Sequence, residues 1–425
     1  MGKKKPDKTK IKPIDDYTEL PAEEDIYHGL DEKPGKKPIF YMVLVLIVLA
    51  VGITGTVAFS NFRFLLPVRQ YIGDTFEKTT EFFGGKISQN RIAGILEQKG
   101  AEKETNVIPY EHASNAGYIS HNSNIIATRA NYIAEFNRKG KIIWETATSI
   151  TEPVTDASGD YIVLADEGGK GICLYYKNKL VYSIQAQNPI LTVDVSASGD
   201  VAVTTEKEFY KGAVEVFNKN GRQVFSWNSG SEYVLNAAIS EASRRLAIVL
   251  LNADNNVKTN IQFFDINKST GYYTAAFENS AVLSAKFIDN VLDVTADNCI
   301  AGLKLSGSTK WYNQYKENQL KNYAMDERGN KILTLETNAV PSVHVYAENG
   351  NLFTSFETQY LPGSVDIMGR SIIYNMSRDI FFGVPGKEKH FTASMDIKKL
   401  KIIDATSFLV VYNNSLEFIN TGQQQ

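Results

Sequence analysis

From residue 107 onward the chain is cut at near-regular intervals by turns of one form, and this spacing constrains the fold more than any other feature. Asn-x-x-Gly turns stand at Asn137 to Gly140 and Asn218 to Gly221, with looser versions at Asn267 to Gly271, Ser306 to Ser308, Glu348 to Gly350, Val384 to Gly386 and Asn420 to Gly422. The steps are 81 residues from Gly140 to Gly221, 129 from Gly221 to Gly350, and 36 each from Gly350 to Gly386 and Gly386 to Gly422. A unit of about 40 residues divides them as two, three, one and one. A second landmark keeps the same step: Ser158-Gly159-Asp160 recurs as Ser198-Gly199-Asp200, and Glu327-Arg328-Gly329-Asn330 has the same form further on.

Between these landmarks lie apolar runs of four to six residues, the pattern of strands bounded by turns. Runs beginning at Tyr161, Val201, Leu246 and Lys331 follow the first landmark, further runs begin at Ile172, Val214, Ile261 and Val343, and a last strand such as that at Ile142 or Val224 follows the glycine turn. Four strands per unit make one small sheet, which cannot bury its faces unless it is stacked on its neighbours. The expectation is an all-β fold, a β-propeller over residues 106–422. Second-strand runs start at Ile125, Tyr161, Val201, Leu246, Val291, Lys331, Ser371 and Phe408, giving eight blades, with seven as the alternative if the degenerate units near Asn290 or Phe391 are miscounted. The last unit stops without a fourth strand, whereas Asn106 to Tyr110 is strand-like and precedes the first unit, so it is placed to complete the last blade and close the ring.

The amino-terminal quarter is of another kind. Residues 39–62 carry no charge, and Ile39 to Phe59 is 21 residues long, enough for a helix to cross the ~30 Å of a bilayer core. A transmembrane helix over 39–60 is therefore expected to contact lipid, and its length and exit sequence fit a signal anchor better than a cleaved signal peptide. Residues 1–38 hold nine lysines and nine acidic residues, interrupted by Pro6, Pro13, Pro21, Pro34 and Pro38, which reads as a disordered leader. Lys33, Lys36 and Lys37 before the span against Arg63 and Arg69 after it place the leader in the cytoplasm and the bulk of the chain outside. Residues 61–105 read as a juxtamembrane stalk of short amphipathic helices broken at Gly84 and Gly85.

With the Gly-Lys-x-x-Trp ending at Trp144, the Ser-Gly-Asp turns and the blade period, residues 106–422 resemble the quinoprotein-like and WD-repeat-like propellers. The WD dipeptide and Gly-His start of ordinary WD repeats are missing. The order of charged leader, single span and propeller resembles a bacterial family of membrane-anchored propellers of unassigned function. The resemblance implies a place at the cell surface rather than a reaction.

Composition narrows the chemistry. Beyond the leader 36 basic residues face 39 acidic ones, so the concentrated positive field of a nucleic-acid binder is missing. Cys173 and Cys299 are 126 positions apart; a single long-range disulfide and two separate buried thiols both fit, but a redox motif does not. The separation also argues against the adjacent cysteines of quinone-dependent propeller dehydrogenases. None of His28, His112, His121, His344 and His390 has an HxH or HExxH spacing for a metal. Gly168-Gly169-Lys170-Gly171 joins two strands and reads as a hairpin turn. No cofactor is expected.

One distribution points to a site. The segments joining second and third strands contain Arg129 and Asn131, Asp166 and Glu167, Glu206 and Glu208, Asn252 and Asp254, Asp297 and Asn298, Glu336 and Asn338, Asn375, then Asn413 and Asn414. In a propeller these loops open on one face, where a polar ring suits a protein or cell-surface glycan, although Asn and Asp also simply make turns. The expected function is a non-catalytic binding or scaffolding module. The alternatives are an extracytoplasmic enzyme acting on glycan or peptide, and a surface sensor signalling through the leader.

Overall fold

The computed structural model describes residues 104–112, 115–240, 245–253, 257–268, 270–315 and 319–422. The leader, the apolar segment and residues 61–103 of the expected stalk lie outside them. Every regular element among the described residues is a strand, and no helix there is long and apolar enough to cross a membrane. The strands form eight antiparallel four-stranded sheets. Seven are built from consecutive strands: blade 1 spans residues 117–147, blade 2 153–185, blade 3 190–229, blade 4 233–278, blade 5 282–314, blade 6 319–357 and blade 7 365–392. Blade 8 takes three strands from residues 399–420 and its outermost from Glu104–Pro109, which runs antiparallel to Ser415–Asn420 with Glu104 opposite Asn420 and Pro109 opposite Ser415.

The fold is thus the expected eight-bladed propeller, and both ends of its sequence meet in one blade. The eight second strands begin at Asn124, Tyr161, Val201, Arg245, Val291, Lys331, Ser371 and Ser407, within one residue of the expected runs. They read as continuous apolar segments because a blade is covered on both faces by its neighbours; all five side chains of Val201–Thr205 are buried, for example. Fourth strands such as Lys179–Gln185 have only exposed and half-buried positions, as befits the rim. First strands of successive blades contact one another around the axis.

Packing explains why the blade is not a folding unit by itself. Among the described residues there are eight apolar clusters, and each joins two consecutive blades. The cluster between blades 8 and 1 unites Leu409, Leu416 and Phe418 with Ile125, Ala127 and Phe136, closing the circle. The turns that set the period follow from side-chain chemistry. Asn137 Oδ1 accepts the backbone N–H of Lys139 (2.9 Å) and Lys141 (3.0 Å), and Asn218 repeats this with Asn220 and Arg222. These bonds hold the loop while Gly140 and Gly221 take φ of 75° and 76°, a left-handed conformation that glycine adopts without steric cost.

Candidate binding face and central axis

Antiparallel alternation sorts the connections onto two faces. Segments between second and third strands share one face with the connectors between blades; the other two kinds of turn lie on the opposite face. We call these the loop face and the turn face. All the described residues of the expected polar ring fall on the loop face, and Asp254 lies outside the described residues.

Several of them spend their polar atoms on the fold. Asp166 Oδ1 accepts the backbone N–H groups of Thr151 (2.8 Å) and Glu152 (2.9 Å), tying its loop to the connector that enters blade 2. Asp297 does the same in blade 5 with the N–H of Ala281 (3.0 Å) and the hydroxyl of Ser280 (2.9 Å), which also donates to Asn298. Buried Asn375 accepts the N–H of Ser364 and donates to the carbonyl of Ser377. Glu336 pairs with Lys321 at 2.8 Å. Glu167, Glu208, Asn131, Asn338, Asn413 and Asn414 are exposed, and Glu206 is half-buried.

The same face carries a feature the residue types alone did not single out. In blade 3 the loop Glu206 to Lys211 presents Phe209, 94% exposed, with φ of 65°. The loop is held on both flanks: Tyr210 N–H donates to the carbonyl of Lys207 (3.1 Å), Lys207 Nζ donates to Asn228 (3.0 Å), and Lys211 Nζ donates to the hydroxyl of Tyr233 (3.0 Å). A β-region residue would avoid the strain of positive φ, so the surrounding bonds impose the conformation that turns the ring outward. A large aromatic standing in a run of charged residues is the sequence signal that would have found it. Tyr360, 62% exposed, stands on the connector entering blade 7 on the same face.

The axis was not anticipated either. A first strand is the inner edge of its sheet, so its inward N–H groups lack a ladder partner. Aspartates of the preceding blade supply one. Asp156 Oδ2 accepts Val195 N–H (3.0 Å), Asp194 Oδ2 accepts Ile239 N–H (2.8 Å), and Asp366 Oδ2 accepts Ile402 N–H (2.8 Å). Asp366 also pairs with Lys401 (2.7 Å). Lys286 of blade 5 reaches Asp156 of blade 2 at 2.6 Å, so this ion pair bridges blades that are not neighbours. Burial, reinforced by the Asp156 carboxylate and opposed by Lys286 and the Ile239 N–H, pushes the Asp194 carboxyl up to about 8. Burial lowers Lys286, but Asp156 and Asp194 outweigh it and hold the ammonium above its ordinary value. The isolated aspartates in the first-strand segments Pro153 to Ser158, Ile190 to Val195 and Val365 to Met368 are the trace this device leaves in the sequence. Cys173 and Cys299 are separate, buried free thiols in blades 2 and 5, the second of the two alternatives.

Solved propellers share the fold. The C-terminal WD40 domain of Sif2 superposes with a TM-score of 0.56 at 11% identity, covering 76% of this chain and 99% of that one. The computationally designed Ika8 protein gives 0.53 at 11% identity, with 71% and 95% covered. Sqt1 of Saccharomyces cerevisiae gives 0.52 at 10% identity, with 73% and 97% covered. At these identities the likeness establishes the WD-repeat-like propeller fold alone. No curated protein matches the chain in sequence. The model of a family of unknown function, DUF5711, matches residues 97–421, most of the chain and the whole ring, and the chain therefore belongs to that family.

Proposed function

We propose that the chain is a single-pass, membrane-tethered propeller whose loop face, outside the cytoplasm, binds a protein partner without catalysing a reaction on it. The observation that carries the binding reading is Phe209. A 94%-exposed aromatic, fixed in a left-handed conformation by bonds on both sides, is preorganised for burial in another surface. Interfaces concentrate their energy in such anchors, and a rigid loop loses little entropy on docking. The axial carboxylates support a structural rather than a reactive use, since Asp156, Asp194 and Asp366 each accept a backbone N–H of the next blade. The tether rests on the uncharged run 39–62 and the lysines before it. The chain joins the ring at Glu104 on the turn face, opposite Asn420, which leaves the loop face on the side away from that junction.

Photocrosslinking tests the reading. The full-length protein carrying a benzophenone amino acid in place of Phe209 should yield one discrete protein adduct in cells. The same probe in place of Lys179, exposed on an outer strand, should not. Equal yields at both positions, or no adduct at Phe209, would remove the loop face as the binding surface.

A further inference from the structure

Where the last blade meets the first, a cavity of about 670 Å³ opens between the closing strand and blade 1. Tyr110, Arg129 and Tyr132 form its polar end, and Ile108 and Phe136 its apolar side. Tyr110 is 8% exposed, yet its hydroxyl has no hydrogen-bond partner. Arg129 Nε is equally shielded and also unpartnered. The guanidinium lies 5.5 Å from the centroid of the Tyr110 ring and 4.7 Å from that of Tyr132. Among the described residues no ion pair reaches it. Burial pushes the Tyr110 hydroxyl up to about 12, although the neighbouring Arg129 pulls it down. The hydroxyl is therefore a donor throughout the physiological range, while its approach to Arg129 falls short of hydrogen-bond geometry.

Leaving a buried donor unsatisfied is costly, and more so when the group is charged. Two such donors, on two residues that line one cavity of small-molecule size, call for an acceptor that the chain does not provide. The Nε–H and adjacent Nη–H of a guanidinium form a planar edge that matches the two oxygens of a carboxylate. The tyrosine hydroxyl adds a third donor. Ile108 and Phe136 offer no polar atoms and suit hydrocarbon. We propose that this seam cavity binds a carboxylate carried on an apolar group, such as the free carboxyl end of a peptide with an apolar last residue or a short fatty acid. The site is distinct from the Phe209 loop and does not depend on it. Because it is built from both ends of the ring, an occupant also favours closure, and stability rises with ligand concentration.

The test uses full-length protein purified in detergent and titrated calorimetrically with N-acetyl-L-phenylalanine, its neutral amide, and hexanoate. At least one carboxylate should bind saturably and raise the thermal midpoint, and the amide should bind at least about tenfold more weakly. Whichever carboxylate binds more tightly names the source. Tyr110→Phe preserves the shape and should weaken carboxylate binding about tenfold while leaving the unliganded midpoint unchanged or higher. Arg129→Gln should abolish binding. Glu111, exposed at the mouth, repels an anion, so Glu111→Gln should tighten binding. Equal affinity for acid and amide, no saturable binding of either acid up to about 10 mM, or an unchanged affinity in the well-folded Tyr110→Phe protein would each overturn the assignment.

Discussion

Two buried charge clusters show at single-residue scale how the ring tolerates ions inside it. Asp194 has a folded pKa of about 8, well above the ~3.9 of an unfolded aspartate. The native state therefore keeps a proton that the unfolded chain releases between these values. The associated stability is fully present below about pH 4 and is lost as the pH rises through about 8, at a limiting slope of about 1.4 kcal/mol per pH unit. Asp194→Asn stays neutral and retains a carbonyl oxygen for Ile239 N–H. Thermal melts should show the wild type losing more stability than the variant between pH 5 and pH 9; parallel losses would refute the account. The second cluster pairs Lys331 with Asp293 at 2.5 Å, with side chains 1% and 4% exposed, and Lys331 also donates to the carbonyl of Gly329. Lys331→Met strands a carboxylate in the core and should cost about 3–5 kcal/mol in urea unfolding. Adding Asp293→Leu should recover most of the loss, because the desolvation penalty leaves with the charge.

At the scale of the element, the glycine turns carry two duties at once. Gly350 has φ of 77°, and a Cβ there would collide with the Trp311 indole of blade 5; Gly307, at 84°, sits in the same way against Tyr273 of blade 4. Each third-to-fourth turn of this kind thus seats on an aromatic ring of the preceding blade. Gly386, at 82°, has open space instead. Gly386→Ala should therefore cost only the conformational strain, about 1–2 kcal/mol. Gly350→Ala should cost that and roughly 1–3 kcal/mol more for displacing Trp311, as the difference between their urea midpoints would show. If the two variants are equally stable, blade stacking does not require glycine at these turns. The double duty also explains why the fold could be read from the sequence. Glycine recurs where both backbone and neighbouring blade demand it, and second strands, covered on both faces, appear as unbroken apolar runs such as Val201–Thr205. The axial aspartates could not be read in the same way. Within one strand, Asp156 in Pro153–Ser158 is indistinguishable from a residue facing solvent, since its partner Val195 belongs to the next unit.

For the whole molecule, what escaped the sequence is what only ring closure assembles. The loops bearing Asp166, Asp297 and Asn375 were legible as one face, but their bonds to inter-blade connectors were not. Tyr110 meets Arg129 across the junction of closing strand and blade 1, with Asn414 brought there from the far end of the chain. Closure also fixes a polarity. Residue 104 lies on the turn face and the Phe209 loop on the other. The proposed topology can be examined with the protein's own cysteines as a silent background. Cys173 and Cys299 are 5% and 1% exposed, and burial pushes the Cys299 thiol up to about 11, which leaves little reactive thiolate. Phe209→Cys replaces a side chain with few neighbours and should fold normally, placing a single accessible thiol on the loop face. In intact cells a membrane-impermeant maleimide should label it without prior lysis. On the proposed topology, a cysteine placed in the leader by Thr9→Cys should react only after permeabilisation. The reverse pattern would invert the topology, and labelling of both positions only after permeabilisation would place the propeller in the cytoplasm.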